Sequence, residues 1–466
     1  WQHRCGLENQ TMSLAAPEIN SMMPRVFFIS ATLALVGLGA YAAEADQLAV
    51  VCDPVPALTE TTSAEDAARE SAYCAIDLSR DDVAICPKTW STSPGAVIYD
   101  LAGTEWQGRV AAFEQSHCGP GGNARDLAAG ELAIFKNTLN GRETSGTFSP
   151  AASLYYHFSR LLQTRVQVPV AARVAFDLPA YQQRVIQPGV VFSDSPRRKM
   201  LHAGWQEMAM AAEDPAADSH KRELFSSDLG QLWGVLLMSE GRRYGPELNG
   251  TRASGWGDGQ NLDFQKTAPF IALRADLPLK QAIQQGIVEA RADAAMASSL
   301  PVDTSPAQVA SWMHDITEIV ILDYILKQQD RIGNVDYLDR WHWLEAGQLR
   351  HSAAKPTDKD AIQLKVSVLN DNDAGVRSGY ANYAKRTDML AGWRHMSPDL
   401  YQRVQALATE FAKDGALAEA VRSNYRLSRR EAQGIVTRTV ELAAALKQSC
   451  EVGDLRFDLT DTALID

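Results

Sequence analysis

Short apolar runs broken by turn residues fill the first half of the chain, whereas the second half carries apolar positions at helical spacing. Ala96-Val97-Ile98-Tyr99-Asp100-Leu101 reads as a strand, Arg109-Val110-Ala111-Ala112-Phe113 as a second, and Glu131-Leu132-Ala133-Ile134-Phe135-Lys136 as a buried third. Ser149-Pro150 opens a helix, with Ser as N-cap and Pro at the first helical position; Leu154, Phe158, Leu161 and Leu162 form its apolar face. Strands follow at Arg173-Val174-Ala175-Phe176 and from Gln231 to Met238. Residues 240–300 read as irregular, and Gly255-Trp256-Gly257-Asp258-Gly259 within them as a loop, since no strand precedes it and no helix follows at once.

Ser305-Pro306 then opens a long helix carrying Val309, Met313, Ile316, Val320 and Ile321 and running to about Gln329. A loop leads to a strand from Gln363 to Leu369. Ser397-Pro398 opens another helix, and Ser428 with Glu431 makes a capping box for the last. The pattern predicts an α+β chain of two lobes: a cysteine-containing N-terminal cap over 46–87, a β-rich lobe over 88–245 and a mainly helical lobe over 246–466.

Composition adds a compartment. Residues 1–22 are polar and aperiodic and read as unrelated to the fold; Met23-Pro24-Arg25, the apolar run Val26 to Gly39 and Ala40-Tyr41-Ala42 then read as a signal peptide over 23–45. No later run reaches the roughly 18 apolar residues of a membrane span, so no stable span is expected after cleavage. Cys52, Cys74, Cys86, Cys118 and Cys450 follow the leader without a C-x-x-C pair, so they read as disulfide formers rather than zinc ligands, with the pairing open and one left over. Export to a periplasmic or extracellular compartment is the expectation. A net charge of -12 without a basic run argues against nucleic acid as a partner.

Four features bear on chemistry: Lys136 at the end of a buried strand that follows the glycine-rich turn 118–123; the helix at Ser149; the segment Asp323 to Asn334, which includes Gln328 and Asp330-Arg331; and the acidic turn Leu369-Asn370-Asp371-Asn372-Asp373-Ala374-Gly375. Phosphoryl transfer calls for this set: a lysine for nucleotide phosphates, an Asp for the attacking hydroxyl, and an Asp with an amide oxygen for a metal ion. Neither a G-x-S-x-G elbow nor an H-E-x-x-H helix occurs. His157 and His314 read as structural histidines, and Trp312, Trp341 and Trp343 as core.

In these segments the chain resembles the atypical kinases of the secretory pathway, which include the Golgi casein kinase and the glycosaminoglycan xylosylkinase. Asp323 to Asp330-Arg331 has that family's order and spacing, Leu369 to Gly375 is similar to its metal-binding turn with an insertion, and Ala133-Ile134-Phe135-Lys136 is similar to its lysine-bearing strand. Tyr155 to Arg173 is similar to its helix and following strand, so the likeness spans roughly residues 95–380. The resemblance implies a two-lobed protein-kinase-like fold and transfer of the terminal phosphate of ATP, with Mg²⁺ or Mn²⁺, to a hydroxyl of a protein or glycan. It implies Asp330 as catalytic base, Lys136 as phosphate-binding lysine and Asp371 as metal ligand, with Asp373 competing for that role. Gly121, Gly122 and Arg331 would lie against the nucleotide, and Asn334 is favoured as second metal ligand because its amide oxygen suits magnesium.

The chain departs from the family at Ile332, where a His is usual, and at Val335, the usual metal-ligand position, flanked here by Asn334 and Asp336. Ala152 and Ser153 occupy the helix turn that normally offers a glutamate to the lysine; Glu143 is the nearest substitute. Two other functions therefore stand beside the kinase reading: a pseudokinase that binds without catalysis, and an exported α+β protein whose acidic turn holds calcium. Lys136 far from Asp330 and Asp371 would favour calcium; convergence of the three leaves the first two.

Overall fold

The computed structural model describes residues 48–464 apart from 49, 57, 59–62, 142 and 414, so the expected upstream segment and leader lie outside the described residues. Two sheets organise the chain. Strands β1 (Val50–Cys52), β2 (Val83–Pro87), β3 (Ala96–Asp100), β4 (Gly130–Asn137), β5 (Ala171–Asp177) and β6 (Gln231–Leu237) form an antiparallel sheet in the order β1-β5-β6-β4-β3-β2. The stretch 46–87 thus contributes both edges of this sheet. Strands β7 (Arg242–Arg243), β8 (Val335–Glu345), β9 (Gln348–Ser352) and β10 (Ile362–Leu369) form the second, smaller sheet.

Nine helices of eight residues or more are described: α1 (Ala64–Cys74), α2 (Val110–His117), α3 (Ser149–Leu161), α4 (Lys199–Glu213), α5 (Leu279–Ala292), α6 (Pro306–Leu326), α7 (Pro398–Ala412), α8 (Ala416–Asn424) and α9 (Arg429–Glu451). The large sheet and most of the helical mass fall in successive halves of the chain, as expected for two lobes of α+β type. Helix α3 packs on β5 and β6 with Leu154, Phe158 and Leu161 buried, and each such side chain contributes about 1.5–3 kcal/mol. Its cap is Phe148 rather than Ser149, whose hydroxyl instead meets Thr138 Oγ1 at 3.1 Å. Helix α6 is buried from Val309 to Leu326 on every face, the signature of a helix at a core's centre. Lys327, in the left-handed region, ends it three residues after Tyr324 and before the expected Gln329. Among the described residues no helix is long and apolar enough to cross a membrane.

Three expectations are corrected. Residues 109–113 belong to α2, because Val110, Phe113, Glu114 and His117 share one face at 3, 4 and 7 residue spacing, a period invisible in a window of five residues. The region 240–300 is largely helical: Asp258–Phe264 follows Gly257 directly, Ala268–Arg274 comes next, and α5 buries Ala282, Ile283, Gly286, Ile287 and Ala290. The expected loop after α6 holds the β8–β9 hairpin, turned at Ala346-Gly347, both of positive φ, with β8 in register against β10 from Val335↔Leu369 to His342↔Ile362. Aromatic alternation through Tyr337, Trp341 and Trp343 suits that strand.

Disulfides join Cys52 to Cys74 and Cys86 to Cys118, tying both edge strands to α1 and to the end of α2. No described cysteine is free, against the expected leftover thiol.

Gly234 of β6 faces Phe135 of β4 so closely that a Cβ would lie 2.3 Å from the Phe135 ring and 2.5 Å from Lys136 O. Gly234→Ala should therefore destabilise the protein by about 1–3 kcal/mol in urea unfolding. Gly130→Ala, which meets nothing within 4 Å, should stay within about 0.5 kcal/mol of the parent.

Candidate functional site

Lys136 is the penultimate residue of β4, buried beneath the turn that follows β10. Its Nζ donates to Asp371 Oδ1 at 2.6 Å and to Asp373 Oδ1 at 2.8 Å. The backbone reaches this geometry by placing Asp371 in the left-handed region at φ 51 and continuing into a single 3-10 turn, Asn372–Ala374. Phe148 N donates to Asp373 O at 2.7 Å, which hangs the same turn from the start of α3.

The charges are mutually adjusted. Burial would push the Lys136 ammonium down, but Asp371 and Asp373 hold it well above the usual lysine range. Lys136, opposed by burial and helped by Lys88 and Arg243, holds the Asp371 carboxyl well below its usual range. Lys88 is a second buried lysine facing the same group; burial and then repulsion from Lys136 push it down to about 8, against the pull of Asp371 and Asp373.

Asp330 lies at the solvent-facing mouth of this cleft. Its carboxyl is raised by the atoms packed around it and by Asp371, with Asp373 adding and Arg331 and Arg252 opposing. A carboxylate raised in this way is a better proton acceptor than an isolated one. Its backbone is held by Gln328 Oε1, which accepts from Asp330 N at 3.1 Å, and by Asn334 Nδ2, which donates to Asp330 O at 2.8 Å. Gly333 completes the turn at φ 87; a Cβ there would overlap the Arg252 guanidinium at 1.5 Å.

Arg331 is enclosed. Its Nε and Nη2 donate to Asp323 at 3.0–3.2 Å, Nη1 to Asn370 O at 3.1 Å, and Nη2 also to Asn372 Oδ1 at 2.9 Å. Tyr155 donates to the same Asp323 carboxylate at 2.8 Å, with the guanidinium over its ring. All three guanidinium nitrogens thus have protein partners, and the residue ties the Asp330 segment to the acidic turn.

Lys136, Asp371, Asp373 and Asp330, brought from separate elements, therefore meet in one cleft, with Asn334 on the Asp330 turn. Gly121 and Gly122 lie elsewhere, exposed in the turn after α2. They precede β4 at Gly130, and Lys136 is about 20 Å further along that strand at ~3.3 Å per residue. The loop at the Lys136 end of the sheet is 88–95, between β2 and β3, closed by Lys88 N donating to Gly95 O at 2.8 Å. Glu143 is exposed.

Lys88 and Arg243 of the cleft were missed by sequence reasoning, and Asp336 was named only as a neighbour of Val335. Lys88 was signalled only by a Ser-, Pro- and Gly-containing turn between two apolar runs. Asp336 accepts from Asn370 Nδ2 at 2.6 Å and from Arg243 Nε at 3.3 Å, and Arg243 Nη2 reaches Asp371 Oδ2 at 3.9 Å. No local pattern marks Arg243. Carboxylate oxygens such as those of Asp371 and Asp373 are donors that a hard divalent cation takes, although both hold Lys136 here, and ammonium groups suit phosphate. A cavity of about 1070 Å³ lies apart from this chemistry, lined by Arg160, Arg165, His342 and His351 among others but by none of Lys136, Asp330, Asp371 or Asp373.

No known protein family matches the chain, and no curated protein matches it. Among solved structures it is similar to two of the Golgi casein kinase, one of them with Mn/ADP bound, each at 12% sequence identity and a TM-score of 0.39. The alignments cover 80% of this chain and 74% and 72% of those chains.

Lys136→Met leaves Asp373 buried and unpaired, and should cost about 3–5 kcal/mol in urea unfolding. Adding Asp373→Asn should recover part of that loss, with a coupling of about 1–3 kcal/mol in the double-mutant cycle.

Proposed function

We propose that the cleft transfers the γ-phosphate of ATP to a hydroxyl of a protein or glycan. The observation that carries this reading is the convergence of Lys136, Asp371, Asp373 and Asp330, from β4, the turn after β10 and the loop after α6, into one charged cleft. It disfavours calcium storage by the acidic turn, because a lysine already neutralises that turn from within.

In this reading Lys136 and Lys88 compensate phosphate charge and hold the nucleotide in place. Asp371 and Asp373 would hold Mg²⁺ or Mn²⁺, with Asn334 as a further oxygen ligand, and the ion when bound supplies charge neutralisation on the phosphates. Asp330 accepts the proton of the acceptor hydroxyl as its oxygen bonds to the γ-phosphorus. The bond from that phosphorus to the β–γ bridging oxygen breaks, and ADP leaves. Arg331, through Asp323 and Asn372, keeps Asp330 in register with the acidic turn, so positioning rather than covalent chemistry dominates. The disulfides suit an oxidising compartment, so the reaction is assigned outside the cytosol, periplasmic or extracellular.

Binding without catalysis is the second reading. It is favoured by the saturation of Lys136 by both Asp371 and Asp373, and by Ala152 and Ser153 on α3 where a glutamate would compete for the lysine.

ATP with Mg²⁺ or Mn²⁺ at 100 times its Kd should stabilise the protein by about 2.7 kcal/mol, read as a thermal upshift. Asp371→Ala should abolish it, whereas Asp330→Asn should keep it and lower phosphate transfer by about 10²–10⁴-fold. Absence of any metal-dependent shift overturns the nucleotide reading; a shift with no transfer to any hydroxyl acceptor selects the second one.

Lys88 adds a pH signature. With its pKa pushed down to about 8 it loses its charge as pH rises through that value, so nucleotide affinity should weaken about five- to tenfold, the difference between a charge-assisted hydrogen bond and a neutral one. Lys88→Met should bind more weakly at pH 7 and show a flat profile in the same titration.

A further inference from the structure

Helix α6 carries a second cluster of polar groups, inside the helical lobe and outside the cleft: His314, Asp315 and Glu318, with 5%, 0% and 1% of their surface exposed. Each offers a ligand atom, and these atoms all lie within 4.8 Å of one another. We propose that His314, Asp315 and Glu318 bind one divalent transition-metal ion of the Zn²⁺ or Mn²⁺ class, as a structural brace inside the helical lobe.

The hydrogen-bond inventory points to a missing partner. Asp315 Oδ2 accepts from Ser367 N at 3.1 Å, while Oδ1 has no partner. Glu318 accepts from Arg165 N at 2.9 Å and Val166 N at 2.8 Å through its two oxygens, leaving lone pairs on each. His314 Nδ1 is 3.5 Å from Glu318 Oε1 and makes no hydrogen bond. His157, the other histidine read as structural, is satisfied by Tyr425. Ser311 Oγ is also buried without a partner, while Ser367 Oγ lies against the Asp315 carboxyl and the Tyr244 hydroxyl. Native interiors leave few such atoms unexplained, and here His314 Nδ1 and Asp315 Oδ1 belong to the same three-residue cluster.

Charge gives the sign of the partner. Asp315 and Glu318 are buried carboxyl groups, and neither forms an ion pair with a permanently charged cation among the described residues. Arg165 is the fixed cation nearby, but it pairs with neither, and its Nη1 and Nη2 are themselves buried without partners. Burial raises both carboxyls, Glu318 to about 7, and keeps His314 neutral, its metal-binding form. A divalent ion would offset the cost of ionising two carboxyls in a protein interior. One imidazole and two carboxylates suit zinc or manganese better than calcium. The expectation against zinc rested on the lack of a C-x-x-C pair and of a His-rich partner, with His314 read as structural; this donor set takes one histidine with two carboxylates.

The position explains a use. Asp315 holds β10 at Ser367, four residues before Asp371; Glu318 holds the loop after α3; and α6 itself leads to Asp330. An ion at this point would brace β10 and α6, two of the elements that position the cleft, together with the loop after α3, whatever reaction the cleft performs.

The test uses the full chain carrying Asp371→Asn, so that the cleft's own metal affinity is reduced, stripped with chelator and then exposed to Zn²⁺ or Co²⁺. After desalting, one ion per chain should remain by elemental mass spectrometry, Co²⁺ should give visible bands of nitrogen–oxygen coordination, and the melting temperature should rise. His314→Gln and Glu318→Gln should each lower metal affinity at least tenfold; His314→Gln keeps the test if the other variant does not fold. The proposal is overturned if no ion is retained, or if His314→Gln retains it as the parent does. It is likewise overturned if Glu318→Gln melts at or above the metal-loaded parent, which would identify a protonated carboxyl among buried waters.

Discussion

The Lys136 ammonium between Asp371 and Asp373 is the contact on which the arrangement of the cleft depends. It links residues 235 and 237 positions apart, the end of a strand in the large sheet and the turn after a strand in the small one. The Lys136 and Asp373 groups share a space with little water, so neither can leave without stranding the other. Lys136 and Asp373 are almost fully buried while Asp371 is about two-fifths exposed. That asymmetry makes Asp373 the structural anchor and leaves Asp371 the more available to a ligand.

A second buried network supports the first from below. Asp323, at the end of α6, receives Arg331 and Tyr155, and Arg331 passes the connection on to Asn370 and Asn372. Helix, loop and acidic turn are therefore held by a planar cation whose three nitrogens all have partners, a role that a lysine with its single ammonium would not fill. Asp330 adjoins this fixed point in the chain, and its own carboxylate stays free to face solvent. Rigidity below and exposure above suit a group that must exchange a proton.

Helix α6 unites these features because it is polar in a few places while buried everywhere. Asp323 is neutralised by Arg331, whereas Asp315 and Glu318 have no such partner. The contrast within one helix separates an ion pair completed by the fold from a cluster that the fold leaves open.

The order of chemistry-bearing segments, the lysine strand, the capping box at Ser428 and the long helix after Ser305 were legible in local pattern, because periodicity, caps and spacing are properties of neighbours in the chain. Short windows misread α2 as a strand, and glycine-rich punctuation hid helices such as α5 whose apolar period was present. The β8–β9 hairpin was overlooked although its aromatic alternation and Ala346-Gly347 turn stand in the sequence. What no local pattern contains is partnership. That Lys136 meets Asp371 and Asp373 rather than a glutamate, that Arg331 turns inward, that Lys88 and Asp336 reach the same cleft, and that His314 lacks a partner are results of strand register and burial. These are set by contacts between residues up to hundreds of positions apart, so tertiary structure alone decides which of the chain's many acids and bases face one another.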